Sequence, residues 1–116
     1  MQGYFKRVHE QTQSRFWINN VTLEEARLAW EAGAVGCTQN PSYVYKMLSS
    51  ADEHDRVEAM LARSVKTCAD DGDVQIEVQR ELVASIAKQF LPLYESSHGR
   101  LGYVSIQGDP FREDYE

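Results

Sequence analysis

The chain has 116 residues, a hydrophobic fraction of 42% and a formal net charge of −6. That length holds one domain or a piece of one, the apolar content is too high for a disordered segment, and the acidic balance lacks the basic stripe a nucleic-acid partner needs. No apolar run approaches the roughly 20 residues of a membrane span, and nothing after Met1-Gln-Gly-Tyr-Phe-Lys-Arg resembles a secretory signal, so a cytoplasmic protein is expected.

In chain order, residues 1–14 are polar and read as a loosely held arm. Arg15-Phe-Trp-Ile-Asn19 alternates as a first strand, with Phe16 and Ile18 on one face and Trp17 and Asn19 on the other. After the turn at Asn20 and Val21, Thr22-Leu-Glu-Glu25 has the spacing of a capping box, and Gly33 is placed to stop the helix it opens. Residues 34–39 form a second strand. It runs without a spacer into Asn40 as a helix cap and Pro41 at the first helical position, where its missing N–H is not needed.

The helix from Pro41 carries Val44, Met47 and Leu48. A further helix from about Asp55 places Val57, Leu61, Val65 and Cys68 at spacings suited to one face. Asp70-Asp-Gly-Asp73 breaks it and caps the longest helix, whose stripe is Val78, Leu82, Ile86 and Phe90 and which Pro92 is expected to end. Residues 101–107 alternate as a third strand, with Tyr103, Ser105 and Gln107 on one face. Gly108-Asp-Pro110 then opens a charged loop.

A strand–helix–strand–helices–strand order implies an α/β fold with parallel strands and right-handed crossovers. Three such strands with helices on one side leave both edges and one face open, which is the beginning of a larger sheet. Asn19, Thr38 with Asn40, and Gln107 fall at the carboxyl ends of the three strands, where α/β proteins place their chemistry. Each alone would suit a turn or a cap; together they form a polar cluster able to orient a hydroxylated ligand. Cys37 and Cys68 are too few for a disulfide framework, and His9, His54 and His98 lack metal-ligand spacing. No lysine lies on a strand, and Cys37 alternates away from the cluster.

The segments Phe16-Trp-Ile-Asn-Asn20 and Gly33-Ala-Val-Gly-Cys-Thr-Gln-Asn-Pro-Ser42, with Tyr103-Val-Ser-Ile-Gln107, resemble the start of a transaldolase. That family's first strand normally ends in Asp-Thr, its second in Thr-Thr-Asn-Pro-Ser, and its third resembles Val-Ser-x-Glu. The resemblance implies the N-terminal fragment of a (β/α)8 TIM barrel, residues 15–116 forming part of the barrel domain. It also implies transfer of a dihydroxyacetone unit between sugar phosphates through a lysine Schiff base on the fourth strand, with no metal or organic cofactor. Thr38, Asn40 and Ser42 would bind substrate. Asn19 stands where the family has its proton-transferring Asp, and Gln107 where it has a Glu that works with a catalytic water.

Both replacements are amides, which hydrogen-bond but do not titrate near neutral pH, and losing a general acid or base costs about two to four decades of rate. The fourth-strand lysine lies outside these 116 residues. The expectation is therefore the N-terminal part of a transaldolase-like protein, inactive by itself, that takes a sugar or sugar phosphate and self-associates through exposed sheet edges. A non-catalytic sugar-binding or interaction module on the same scaffold is the alternative, and a structural segment with no independent role is a third reading.

Overall fold

The structure, a computed structural model, describes residues 3–108; the expected turn at Asp109-Pro110 and the charged segment after it lie outside the described residues. The elements run α1 (Tyr4–Gln11), β1 (Trp17–Asn19), α2 (Leu23–Ala32), β2 (Gly36–Gln39), α3 (Tyr43–Ser49), α4 (His54–Thr67), α5 (Asp71–Ser96) and β3 (Tyr103–Ile106). The strands form one parallel sheet in the order β1-β2-β3. This is a mixed α/β architecture, and all three strands fall within the spans their alternation marks out.

The register sets the two faces. Ile18, Cys37 and Val104 lie in one row, as do Trp17, Gly36 and Tyr103, and Asn19, Thr38 and Ser105. The Ile18–Cys37–Val104 row packs into the core beneath the helices, where Cys37 is fully buried. Trp17 and Tyr103 on the opposite face are 43% and 48% exposed, the Tyr103 ring meeting the edge of Tyr94 from the end of α5 at 5.5 Å.

Local chemistry accounts for most element boundaries. The hydroxyl of Thr22 accepts the Glu25 N–H at 3.1 Å while the Glu25 carboxylate accepts the Thr22 N–H, satisfying two donors at the start of α2. Gly33 stops that helix at φ 106°, a left-handed conformation that a side chain would strain. The Asp70 carboxylate accepts the Asp73 N–H at 2.9 Å and caps α5. In α5, Val78, Leu82, Ile86 and Phe90 are fully buried, each contributing about 1.5–3 kcal/mol of apolar burial.

Three expectations need correction, and the N-terminal segment gains a helix. The polar segment 1–14, read as a loosely held arm, carries α1, which buries no residue completely and whose Phe5 ring stacks on Phe16 at 3.9 Å. The Arg15 guanidinium donates to the carbonyls of His9, Thr12 and Ser14 and so ties off the end of that helix. Pro92 lies inside α5, which continues to Ser96; Lys88 and Pro92 are both exposed, so the carbonyl deprived of its donor can meet water. In α4 the buried face is Val57, Met60 and Ser64, while Val65 is 64% exposed. Finally, α3 begins at Tyr43, two residues after Pro41, because the Tyr43 N–H closes a tight turn on the Asn40 carbonyl at 3.0 Å.

Candidate functional site

The carboxyl ends of the three strands surround a shallow depression of about 330 Å³, lined by Asn19, Thr38, Gln39, Asn40, Ser105, Ile106 and Gln107. Four of the five residues singled out from the sequence therefore share one concavity, and the fifth, Ser42, is bonded to Asn40. Parallel pairing is the cause: it aligns Asn19 with Thr38 and Thr38 with Ser105, and alternation carries Asn40 and Gln107 onto the same side.

Asn19 and Thr38 are linked across the strands, the Thr38 hydroxyl donating to Asn19 Oδ1 at 3.0 Å. Asn40 Oδ1 accepts from three donors: the Ser42 N–H at 3.1 Å, the Ser42 hydroxyl at 2.5 Å and Asn20 Nδ2 at 3.0 Å. Beyond Gln39 the ladder continues through the Gln107 N–H, which donates to the Gln39 carbonyl at 2.9 Å. Gln79 Nε2 on α5 donates to the Gln107 carbonyl at 3.3 Å, and Gln75 Nε2 donates to the Pro41 carbonyl at 2.8 Å. The long helix thus braces two of the three strand ends.

Asn20 is the residue that sequence reasoning passed over as turn material. Its backbone is left-handed at φ 51°, a conformation Asn tolerates better than most side chains. Its N–H donates to the Thr38 carbonyl at 3.0 Å, its Oδ1 accepts the Asn40 N–H at 3.1 Å, and its Nδ2 also reaches Ser42 Oγ at 3.3 Å. The carboxamide extends the β1–β2 ladder by one step after the strand itself has turned away. The Asn-Asn pair at the end of a strand, facing Asn-Pro-Ser after the next, was the available signal.

Lys46 also comes closer to the strand ends than its helical position suggested. Its ammonium donates to the Asn20 carbonyl and pairs with Glu25 at 3.4 Å. It is held on the helical side of Asn20 and does not line the depression. Gln39, standing where the resemblance has a second threonine, alternates to the helix side with Cys37. It is 2% exposed, its Nε2 contacts Cys37 Sγ at 2.7 Å, and its Oε1 has no partner among the described residues. Burial pushes the Cys37 thiol up to about 11, with the Gln39 amide and the Lys46 charge opposing that rise.

The depression contains no ionisable side chain among its lining residues. Amides and hydroxyls can bind and orient a polar ligand, but none of them is a general acid or base near neutral pH. A larger recess of about 810 Å³ lies on the helical side near Leu23, Trp30 and Gln89. Its two arginines are already committed, Arg27 to Glu24 at 2.5 Å and Arg56 to the buried Glu53 at 2.7 Å. His54, Asp55 and Glu58 form an exposed group of metal-ligating types. Both ring nitrogens of His54 are occupied, Nδ1 by the Leu48 carbonyl at 2.7 Å and Nε2 by Glu58 at 2.9 Å.

No described helix is long and apolar enough to cross a membrane. Comparison with protein-family models, curated proteins and solved structures finds no match. The fold and the depression define an α/β chain with a non-ionisable polar cluster at the carboxyl ends of parallel strands.

Proposed function

We propose that this chain supplies the first three strands of a transaldolase-like (β/α)8 barrel and that its strand ends form one corner of a site for a sugar or sugar phosphate. The observation that supports this reading is the convergence of Asn19, Thr38, Asn40, Ser105 and Gln107 on one depression at the carboxyl ends of parallel strands. Asn19, Ser105 and Gln107 are exposed, and β1 and β3 each have one edge unpaired among the described residues, which suits a sheet that continues on both sides. In a complete barrel of this kind a lysine beyond residue 116 would form the Schiff base, and Asn40, Thr38 and Ser42 would bind hydroxyls. The cytoplasm is the proposed site of action.

A second reading, a sugar-binding module without turnover, is favoured by one specific observation: Asn19 and Gln107 bring amides where proton transfer needs carboxylates. In both readings the described residues bind and orient, and unpaired edges favour self-association of the chain alone.

The two readings part on borohydride trapping with a ketose phosphate, applied to the chain together with any coding sequence that follows it. A covalent adduct on a lysine after residue 116 supports the transferase. Binding without an adduct supports the module. Absence of any sugar-dependent change in the amide NMR signals of Asn19, Thr38 and Asn40 removes both.

A further inference from the structure

The hydrogen-bond pattern around Asn40 fixes which end of its amide faces the ligand. Assigning oxygen and nitrogen in an amide side chain requires a neighbour whose role is not in doubt, and backbone N–H groups provide it twice here. The Ser42 N–H must donate, so the Asn40 atom 3.1 Å away is Oδ1. The Asn40 N–H must also donate, so the Asn20 atom 3.1 Å away is Oδ1, which turns Asn20 Nδ2 toward Asn40 Oδ1 at 3.0 Å. Two different backbone donors thus require the same arrangement of the paired amides. With the Ser42 hydroxyl added, Asn40 Oδ1 is saturated. Asn40 Nδ2 has no partner among the described residues, and Asn40 is one of the residues that line the depression.

We infer that Asn20 is a positioning residue that locks Asn40 as a hydrogen-bond donor toward the depression, so that this subsite takes an acceptor oxygen from an uncharged part of the ligand. The acceptor preference follows from the saturated Oδ1. The preference for an uncharged group follows from the lining, which holds no cation to balance a phosphate or carboxylate; the neighbouring ammonium of Lys46 is engaged by the Asn20 carbonyl and Glu25. Thr38 and Asn19 impose no such polarity, because a hydroxyl can donate or accept and the Thr38–Asn19 pair can reverse. Discrimination therefore rests on Asn40, and through it on Asn20. This rests on the proposed reading of the depression as a sugar site.

Asn20→Asp tests it. The side chain keeps its shape, tolerates the left-handed backbone, and still accepts the Asn40 N–H. Its second oxygen now confronts Asn40 Oδ1, so the Asn40 amide either turns over or moves away, and Nδ2 leaves the depression in both cases. The probe is dihydroxyacetone, a neutral ketone whose binding the added charge does not repel by net Coulomb force, followed through the Asn40 side-chain NH2 signals. Wild type is expected to show those signals moving on titration, and Asn20→Asp to bind at least tenfold more weakly while its backbone amide spectrum remains that of the folded protein. In the ligand-free variant, hydrogen exchange of the Asn40 NH2 is expected to slow or its signals to shift. Asn40→Asp, which keeps the acceptor bonds and removes the donor, should show the same loss of binding. If wild type binds and Asn20→Asp binds equally well, the positioning role is overturned while the sugar reading stands. If wild type does not bind, the sugar reading and its acceptor-selective subsite fall together, and the ligand-free exchange measurement decides by itself whether Asn20 locks Asn40.

Discussion

The indole of Trp17 lies over the α-carbon of Gly36, so close that a β-carbon at Gly36 would stand 2.5 Å from Trp17 Cε2. The two residues are paired in register on neighbouring strands, and the glycine leaves the space in which the ring rests on the open face. Gly36 is thereby buried by a side chain from its own sheet.

Gly36→Ala is expected to expel the indole from that position and to destabilise the protein by about 1–3 kcal/mol, the usual cost of overpacking. Trp17→Ala/Gly36→Ala should recover part of that loss, since the clash is then gone. Urea denaturation of the two single variants and the double variant measures the coupling; additive effects would show that the contact carries no energy.

Tyr43 is fully buried, and its hydroxyl donates to the Val21 carbonyl at 2.5 Å, pinning the turn after β1 to the first turn of α3. Burial raises the phenol far above its ordinary pKa, which keeps it a donor throughout the physiological range. Tyr43→Phe leaves that carbonyl without its partner and is expected to cost about 1–3 kcal/mol in equilibrium unfolding. Backbone amide exchange around Asn20 and Val21 should rise in the same variant.

Cys37 and Cys68 should differ in reactivity. Cys37 has no exposed surface and a thiol pushed up to about 11, so thiolate is scarce at neutral pH. Cys68, at the end of α4, is only partly buried. Iodoacetamide at pH 8 is expected to modify Cys68 first, with Cys37 alkylated only when denaturant opens the core, as peptide mass spectrometry would report.

His54 has its pKa raised, first by the Leu48 carbonyl that accepts from Nδ1; desolvation, the next effect, opposes the rise, and the nearby carboxylates Glu58 and Asp55 add to it. A histidine with a folded pKa above its unfolded value near 6.5 adds stability that is fully present below the unfolded value. That contribution is lost as pH rises through the folded value. The melting temperature of the wild type should therefore fall slightly across that interval relative to His54→Gln, and the His54 ring-proton titration should show a midpoint above 6.5.

How much of this was legible depended on whether the signal was local. The Thr22–Glu25 capping box, the Gly33 stop and the Val78–Phe90 stripe are set by a few consecutive residues, and all three stand in the structure. The polar cluster was legible because a period of two fixes the face of every strand residue once parallel pairing is assumed. The rest depended on distant contacts. Helix α1 buries no residue completely and gains its aromatic contact from Phe16, beyond its own end. Pro92 fails to stop α5 where the helix packs on the last strand: the Gly102 backbone approaches so closely that a β-carbon there would meet Tyr94 N at 2.5 Å. The Asn20 clamp joins two turns through side chains, a pairing that no periodicity encodes.

The order β1-β2-β3 also has a kinetic meaning. Between β2 and β3 the chain makes an excursion through α3, α4 and α5 before it returns to pair. Closing so long a loop is entropically costly and is completed only when the remote partner docks. Asn19, Thr38 and Asn40 can meet early, through a single crossover, but Ser105 and Gln107 join them only with the last strand. Completion of the depression is therefore expected late in folding, and a ligand spanning all three strands would act as a latch on the finished sheet, holding the final strand in place after the helices have packed.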